Sequence, residues 1–151
     1  YNNVLYSGFI DLVMYHEPTN EFTIYDIKTS TRGWGDKEKK DEVKQFQVLL
    51  YKTYFSELFG VPPENINVKF FILKRKIWEK SEFPQKRIQE FSPANGKNKI
   101  NKAKNTLNEF IEKTFNVDGS FKPSDHPATP NKFACSYCPF NKRKDLCEHA
   151  I

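Results

Sequence analysis

A pair of strand-forming segments joined by a short turn constrains the fold of this chain more than any other part of the sequence. Residues 4–15 and 21–29 alternate or run apolar and are rich in β-branched and aromatic side chains, a composition typical of strands. Residues 16–20 are turn formers that include a proline and an asparagine. We predict a β-hairpin in which His16 pairs with Glu21. The two residue numbers of every cross-strand pair then add to the same total, which fixes the partner of each residue.

A helix and further strands follow the hairpin. Residues 37–59 contain strong helix formers and end at Gly60, and residues 67–77 again favour a strand. Residues 87–91 are predicted to form an edge strand. Residues 98–115 are predicted to form an amphipathic helix through apolar positions on one side, namely Ile100, Leu107, Phe110, Ile111 and Phe115. A strand, a helix and a further strand imply a βαβ crossover, and therefore an α/β fold.

The length of 151 residues suits one domain. We predict a core over residues 1–116, followed by a linker and a cysteine-containing tail over 117–151 that packs on it. Because the chain begins at Tyr1 rather than at a methionine, we expect it to be a piece of a longer protein. No apolar run approaches the roughly 20 residues that cross a bilayer, so we expect no membrane partner and a cytoplasmic location.

Basic residues are concentrated in one part of the chain. The net charge is +5. Between Lys69 and Lys104 there are 11 basic residues against three acids. Such a stretch is typical of a surface that binds a polyanion, although it is also compatible with a solvated lysine-rich surface.

Two carboxylates and a lysine are predicted to share one face of the hairpin. Side chains two apart in a strand point the same way, so Asp26 and Lys28 lie together. The predicted register places Asp11 opposite Asp26, and like charges at that position destabilise a sheet unless a cation compensates. Two carboxylates with a backbone carbonyl suit Mg²⁺ or Mn²⁺. The alternative is a structural salt bridge on a solvent-facing strand.

The predicted helix carries a polar side chain within an apolar stripe. Val43, Gln47, Leu50, Tyr54 and Leu58 recur at spacings of three or four, and we predict that this stripe packs on the sheet. An amide buried there needs a hydrogen-bond partner, which we expect in the strand or loop of the metal site.

Three motifs occur in order: Gly8-Phe9-Ile10-Asp11, Asp26-Ile27-Lys28-Thr29-Ser30 and Gln47-Val48-Leu49-Leu50-Tyr51. Together they resemble the signature of the nuclease domains of RecB and AddB, within the PD-(D/E)XK superfamily. The resemblance implies a restriction-endonuclease-like core, a mixed sheet flanked by helices, whose opening helix we expect to lie upstream of Tyr1. It also implies these roles: Asp11, Asp26 and the carbonyl of Ile27 hold a catalytic metal, Lys28 assists hydrolysis, and Gln47 and Tyr51 contact the catalytic strand or the nucleic acid.

The tail contains all three cysteines of the chain, Cys135, Cys138 and Cys147. An odd number with Cys-x-x-Cys spacing favours metal ligation in a reducing compartment. The tail is similar to that of AddB-like nucleases and CRISPR adaptation exonucleases, in which a fourth, upstream cysteine completes a [4Fe-4S] cluster. The alternatives are a Zn²⁺ site completed by His149 or His126, or cysteines that serve only as buried apolar side chains.

The resemblance implies a metal-dependent deoxyribonuclease, of exonuclease type, that acts on single- or double-stranded DNA in the cytoplasm of a bacterium or an infected host. It implies a role in recombination, repair or phage DNA processing, with a helicase or recombination partner as one option. Two alternatives are a nucleic-acid-binding module that has lost catalysis and a structural domain of a larger helicase-nuclease. The intact set of Asp11, Asp26 and Lys28 favours the enzyme over the binding module.

Overall fold

The computed structural model describes residues 3–123 and 130–150. Four strands form one mixed sheet in the order β1 (Leu12–His16), β2 (Glu21–Ser30), β3 (Ile66–Lys74) and β4 (Ile88–Phe91). Strands β2 and β3 are parallel, and the two outer pairs are antiparallel. The helices are α1 (Asp36–Lys39), α2 (Glu42–Phe59), α3 (Lys97–Thr114) and α4 (Lys132–Ser136). The predicted α/β class and the βαβ crossover through α2 are confirmed.

The predicted hairpin register is confirmed. His16 pairs with Glu21 and Leu12 pairs with Tyr25. A short 3-10 turn joins the strands and ends at Asn20, whose φ of 53° is a left-handed conformation that asparagine tolerates.

The first strand, however, is shorter than predicted. It begins only at Leu12, and residues 4–11 are not a strand. At this point the Asp11 side chain, rather than the backbone of a longer strand, accepts the N–H of Ile27 on β2.

The long predicted helix is interrupted at Lys40 and Asp41. The Asp41 side chain accepts hydrogen bonds from the N–H groups of Val43 and Lys44, so it caps a new helix, α2. That helix ends at Gly60, as predicted, in the left-handed conformation with φ of 65°.

The apolar stripe predicted for α2 is wrong at both ends and at Tyr54, which is exposed. Val43 is 76% exposed and Leu58 is 77% exposed, whereas Leu50 is buried. The buried part is instead the continuous run from Val48 to Thr53, together with Phe55. The reason is that α2 contacts β2 and β3 and also α3, so more than one side of its middle section is covered.

The remaining elements differ modestly from the predictions. Strand β3 ends at Lys74 rather than at residue 77, although the N–H groups of Arg75 and Lys76 still bond to the carbonyls of Ser30 and Thr31. The edge strand β4 lies where it was predicted. Helix α3 buries Ala103 and Ile111, but Phe110 is 57% exposed and does not belong to its buried side. Within the two described ranges, no helix has the length and apolar character needed to cross a membrane.

The core lies between one face of the sheet and α2. Alternate residues of β3, from Ile66 to Ile72, are almost fully buried, as are Ile24 and Asp26 of β2. Because the side chains of a strand alternate, Lys28 and Ser30 follow Asp26 on this same face. A carboxylate and a lysine therefore continue the apolar core at the carboxyl end of β2.

Candidate functional site

Asp26 is a buried carboxylate next to a lysine. Only 2% of it is exposed, and its Oδ2 lies 2.8 Å from Lys28 Nζ. Lys28 is the one polar partner of Oδ2 among the described residues. A salt bridge on a solvent-facing strand, the structural alternative, does not describe a carboxylate this deeply buried.

The environment of Asp26 disfavours its charge. Burial raises the pKa of the Asp26 carboxyl above its ordinary value, and the ion pair with Lys28, which lowers the pKa, only partly offsets that effect. The negative charge of Asp11 raises the Asp26 pKa further. An additional cation beside Asp26 would relieve both the desolvation and the repulsion.

Asp11 lies at the point where β1 begins. Continuing the pairing of Leu12 with Tyr25 by one step brings Asp11 opposite Asp26. Its Oδ2 accepts the backbone N–H of Ile27 at 2.7 Å, which holds the carboxylate against β2. In an extended strand the N–H and C=O of one residue project to the same edge, so the Ile27 carbonyl also faces the edge where Asp11 lies.

Gln47 and Tyr51 extend from α2 toward the lysine. Lys28 Nζ donates to Gln47 Oε1 at 3.1 Å, and Gln47 Nε2 donates to the Tyr51 hydroxyl at 2.9 Å. The two residues are one helical turn apart, which permits this contact. The predicted partner for the Gln47 amide is therefore found on the strand, and the chain Asp26–Lys28–Gln47–Tyr51 links the sheet to the helix.

The glycine of the first motif packs directly on this chain. A Cβ atom added at Gly8 would lie 2.9 Å from Tyr51 Cε1, closer than such atoms approach in real proteins. Tyr51 is only 7% exposed and its hydroxyl is held by Gln47, so the ring has little room to move. All three sequence motifs therefore meet in one place.

The donor set at this place fits a small divalent cation. Asp11 and Asp26 supply carboxylate oxygens, Oδ2 of Asp26 has no polar partner other than Lys28 among residues 3–123 and 130–150, and the Ile27 carbonyl lies at the same edge. Hard oxygen ligands of this kind suit Mg²⁺ or Mn²⁺. Within the described ranges, no group of three or more His, Cys, Asp or Glu side chains could hold a metal ion. A cation here would depend on two carboxylates supplemented by backbone and solvent oxygens.

The cysteine tail was the second predicted metal site. Cys135, Cys138 and Cys147 are free thiols, and in the described part of the tail they do not form a group that could hold an ion. Cys135 lies in α4 and Cys138 follows it in a tight turn, whereas Cys147 is reached only through further turns of backbone. His149 contacts Glu148 at 3.3 Å. His126, the other proposed Zn²⁺ ligand, lies outside the described residues.

Sequence reasoning missed a second group of residues at the carboxyl ends of β2 and β3. A cleft of about 450 Å³ there is lined by Arg32, Lys74, Lys76, Ile77, Trp78 and Gln85. Its lysines belong to the basic stretch noted in the sequence, but Arg32 and Trp78 gave no signal, because only the parallel pairing of β2 with β3 brings them beside those lysines. A second, mainly apolar cleft of about 520 Å³ is lined by Tyr51 together with Tyr6 and Tyr54.

Comparison with known proteins identifies the family. A model of the PD-(D/E)XK nuclease superfamily matches residues 3–145 of the chain. No curated protein and no solved structure matches it. The mixed four-stranded sheet flanked by helices is consistent with the restriction-endonuclease-like fold of that superfamily. Because the match spans nearly the whole chain and includes all three motifs, this protein belongs to the PD-(D/E)XK nuclease superfamily.

Proposed function

We propose that this nuclease hydrolyses DNA phosphodiester bonds at the site formed by Asp11, Asp26 and Lys28, with Mg²⁺ or Mn²⁺ as the metal. We further propose an exonuclease of the RecB and AddB type that acts in recombination, repair or phage DNA processing, alongside a helicase or recombination partner. The observation that best supports the proposal is the buried Asp26 Oδ2, whose one polar partner in the described chain is Lys28 Nζ at 2.8 Å. Nucleases of this superfamily generally use divalent metals such as Mg²⁺.

Each residue has a distinct part in the proposed reaction. Asp11 and Asp26, with the Ile27 carbonyl, would hold the cation, which supplies a water of lowered pKa and positive charge against the phosphate. Lys28 is positioned to donate hydrogen bonds to the attacking water or to the charge that develops on the phosphate. Gln47 orients Lys28 through its 3.1 Å contact, and Tyr51 orients Gln47 in turn. We therefore expect Gln47 and Tyr51 to be positioning residues.

The test is cleavage of labelled single- and double-stranded DNA with Mg²⁺, with Mn²⁺ and with EDTA. Asp26→Ala should abolish cleavage while leaving DNA affinity unchanged or improved, because the substitution removes a negative charge near the phosphates. Asp36→Ala is the matched control, since Asp36 also forms an ion pair with a lysine but is highly exposed. If the wild-type protein cuts neither DNA form with either metal, the binding-module alternative replaces this proposal.

The exonuclease part of the proposal has its own test. Linear DNA should be shortened from its ends, whereas closed circular DNA of the same sequence should remain intact. Cutting of the circular substrate by wild type, but not by Asp26→Ala, would identify an endonuclease at the same site.

We also propose that the cysteines of the tail hold a metal site. Metal analysis of protein purified without oxygen distinguishes its alternatives. Zinc would support a Cys₃His site with His149 or His126, iron with sulfide would support the [4Fe-4S] cluster, and neither would leave Cys135, Cys138 and Cys147 as packing residues.

A further inference from the structure

The cleft at the carboxyl ends of β2 and β3, here called the strand-end pocket, is lined by Arg32, Lys74, Lys76, Ile77, Trp78 and Gln85. Its floor is fixed by backbone pairing that continues beyond the two strands. The N–H groups of Arg75 and Lys76 bond to the carbonyls of Ser30 and Thr31 at 2.8 and 2.9 Å. The loop that carries Arg32 and the segment that carries Lys76 and Trp78 are thus held side by side.

The pocket lies on the same sheet face as Asp26 and Lys28. In the parallel pairing of β2 with β3, Lys28 is next to Ile72 and Ser30 is next to Lys74. Lys74 therefore follows Ile72 on the core-facing side, one step beyond Lys28. Two residues along the strand and one strand across separate Lys28 from Lys74 by roughly 8 Å between Cα atoms. That separation is short enough for one DNA strand to contact both lysines.

The cations of the pocket are available for a ligand, whereas several other cations of the basic stretch are already paired. Lys69 contacts Glu90, and Lys99 and Lys102 both contact Glu42. In contrast, Arg32, Lys74 and Lys76 form no ion pair with any carboxylate within residues 3–123 and 130–150. The unneutralised positive charge of this surface is therefore concentrated at the end of the strands that carry the proposed catalytic site.

The pocket also presents an aromatic ring to solvent. Trp78 is 72% exposed, which is unusual for the largest apolar side chain. The other tryptophan, Trp34, packs against Phe70 at 4.8 Å between ring centroids and is partly buried. A positively charged groove with an exposed aromatic ring is the combination that binds single-stranded nucleic acid, because every unpaired base has a face that can stack.

We propose that the strand-end pocket binds a single DNA strand, with Arg32, Lys74 and Lys76 contacting its phosphates and Trp78 stacking on an unpaired base near the bond that is cut. The pocket would thereby select single-stranded DNA, or a frayed end, over an intact duplex, in which bases are stacked on each other. This inference extends the proposed nuclease function by naming the form of its substrate and the residues that select it.

The test measures binding alone, so that it does not depend on cleavage. The parent protein for this test carries Asp26→Asn and is titrated in EDTA with a fluorescein-labelled oligothymidine and with a hairpin duplex. The oligothymidine has about 12 nucleotides, a length within the range that single-strand-binding domains cover. Arg32→Ala/Lys74→Ala/Lys76→Ala should weaken oligothymidine binding at least about ten-fold and reduce the slope of log affinity against log salt by about two. Lys113→Ala/Lys122→Ala/Lys142→Ala removes the same charge outside the pocket and should change both quantities much less.

Trp78 supplies an independent measurement. Oligothymidine should quench the tryptophan fluorescence of the parent protein, and Trp78→Phe should remove most of the quenching while largely preserving affinity, since phenylalanine also stacks. Trp78→Ala should weaken binding about ten-fold. Circular dichroism and thermal melting verify that each variant is folded.

Several outcomes would overturn the inference. They are equal losses of affinity in the pocket and control triple variants, quenching that survives Trp78→Phe, or a hairpin duplex that binds as tightly as the single strand. An absence of cleavage by the wild-type protein would instead count against the proposed function, while the binding results would still decide the role of the pocket.

Discussion

At the scale of single residues, the site depends on how Asp26 is accommodated. A carboxylate that is 2% exposed normally accepts several hydrogen bonds, yet Oδ2 of Asp26 has only the ion pair with Lys28 in the described part of the chain. Buried groups that are stabilised this incompletely are typical of functional sites, where the compensating ligand arrives with the reaction.

Replacing Asp26 with Asn should therefore stabilise the metal-free protein at pH 7. Burial raises the Asp26 pKa, so folding is penalised above that pKa, where the folded protein must hold a charged carboxylate, and the penalty disappears as the pH falls and the group is protonated. We expect Asp26→Asn to raise Tm by about 2–4 °C, the shift that about 1 kcal/mol produces in a chain of this size. The measurement is thermal melting in EDTA from pH 7 down to pH 4.

The difference in Tm between Asp26→Asn and wild type should shrink as the pH falls. Asp36→Asn, at an exposed position, provides the control and should change Tm little. A variant that is less stable than wild type at pH 7 would mean that the ion pair with Lys28 outweighs the cost of burying the charge.

The close approach of Gly8 to Tyr51 gives a second prediction at this scale. Gly8→Ala places a methyl group 2.9 Å from the Tyr51 ring, and overpacking of this kind destabilises a protein by about 1–3 kcal/mol. We expect a lower Tm and slower cleavage, because Tyr51 orients Gln47. In a double-mutant cycle, Gly8→Ala should cost much less in a Tyr51→Ala background. An undiminished cost there would place the strain somewhere other than the ring.

The relative placement of Asp11, Asp26 and Lys28 was better predicted from the sequence than their environment was. The alternation of a strand is sufficient to place Asp26 and Lys28 on one face, and the length of the turn is sufficient to place Asp11 opposite Asp26. No local pattern indicates that Asp26 would be buried under α2, that Lys28 in particular would be the strand partner of Gln47, or that Gly8 would touch Tyr51. Those contacts join residues that are far apart in the sequence, and they depend on how the helix packs on the sheet.

At the scale of elements, helix α2 shows where periodicity alone is insufficient. The spacing of apolar residues predicted a single apolar face for α2. The helix packs on both the sheet and α3, so its buried residues occupy more than one side. Val43 and Leu58 lie on parts of the helix surface that neither neighbour covers. The helix ends were better predicted at Gly60 than at Asp41, because a glycine in the left-handed conformation is a stronger signal than an aspartate within a charged run.

The contact between α2 and α3 gives a prediction for these elements. Glu42 of α2 contacts both Lys99 and Lys102 of α3, and the hydrogen bonds from Lys102 and Lys99 lower its pKa to about 2. A lowered carboxyl pKa stabilises the fold above the ordinary value of 4.5, and that stability is lost as the pH falls toward 2. Glu42→Gln should therefore lower Tm at pH 7 and have progressively less effect below pH 4.5.

Salt and a second variant provide the controls for this prediction. Because the Glu42 pairs are at the surface, high salt should reduce the effect of Glu42→Gln. Glu57, which contacts only Lys104, offers a matched substitution between the same helices, and Glu57→Gln should have the smaller effect. Equal effects of the two variants, or an effect that persists at pH 2, would contradict the role assigned to the double ion pair.

At the scale of the whole molecule, the sheet order explains why distant parts of the sequence serve one purpose. Placing β2 in the middle, antiparallel to β1 and parallel to β3, brings Asp11 to one side of Asp26 and the end of β3 to the other. The crossover helix α2 then covers the same face and delivers Gln47 and Tyr51. The βαβ pattern was visible in the sequence, whereas the strand-end pocket was not, because its two sides are separated by the whole of the crossover.

The stability of the whole molecule should therefore depend on a divalent cation. A ligand that binds the folded state and not the unfolded state stabilises by about 2.7 kcal/mol at 100 times its Kd, which in a chain of this length raises Tm by about 5–10 °C. We expect this shift when Mn²⁺ is added to wild-type protein in the absence of DNA, because the cation relieves the repulsion between Asp11 and Asp26.

Asp11→Asn/Asp26→Asn should melt at the same temperature with and without Mn²⁺, while Asp36→Asn should retain the wild-type shift. Cys135→Ser should also retain it if the ion binds at the carboxylates. A shift that survives in Asp11→Asn/Asp26→Asn but disappears in Cys135→Ser would assign the ion to the tail and remove the main support for a metal at the hairpin.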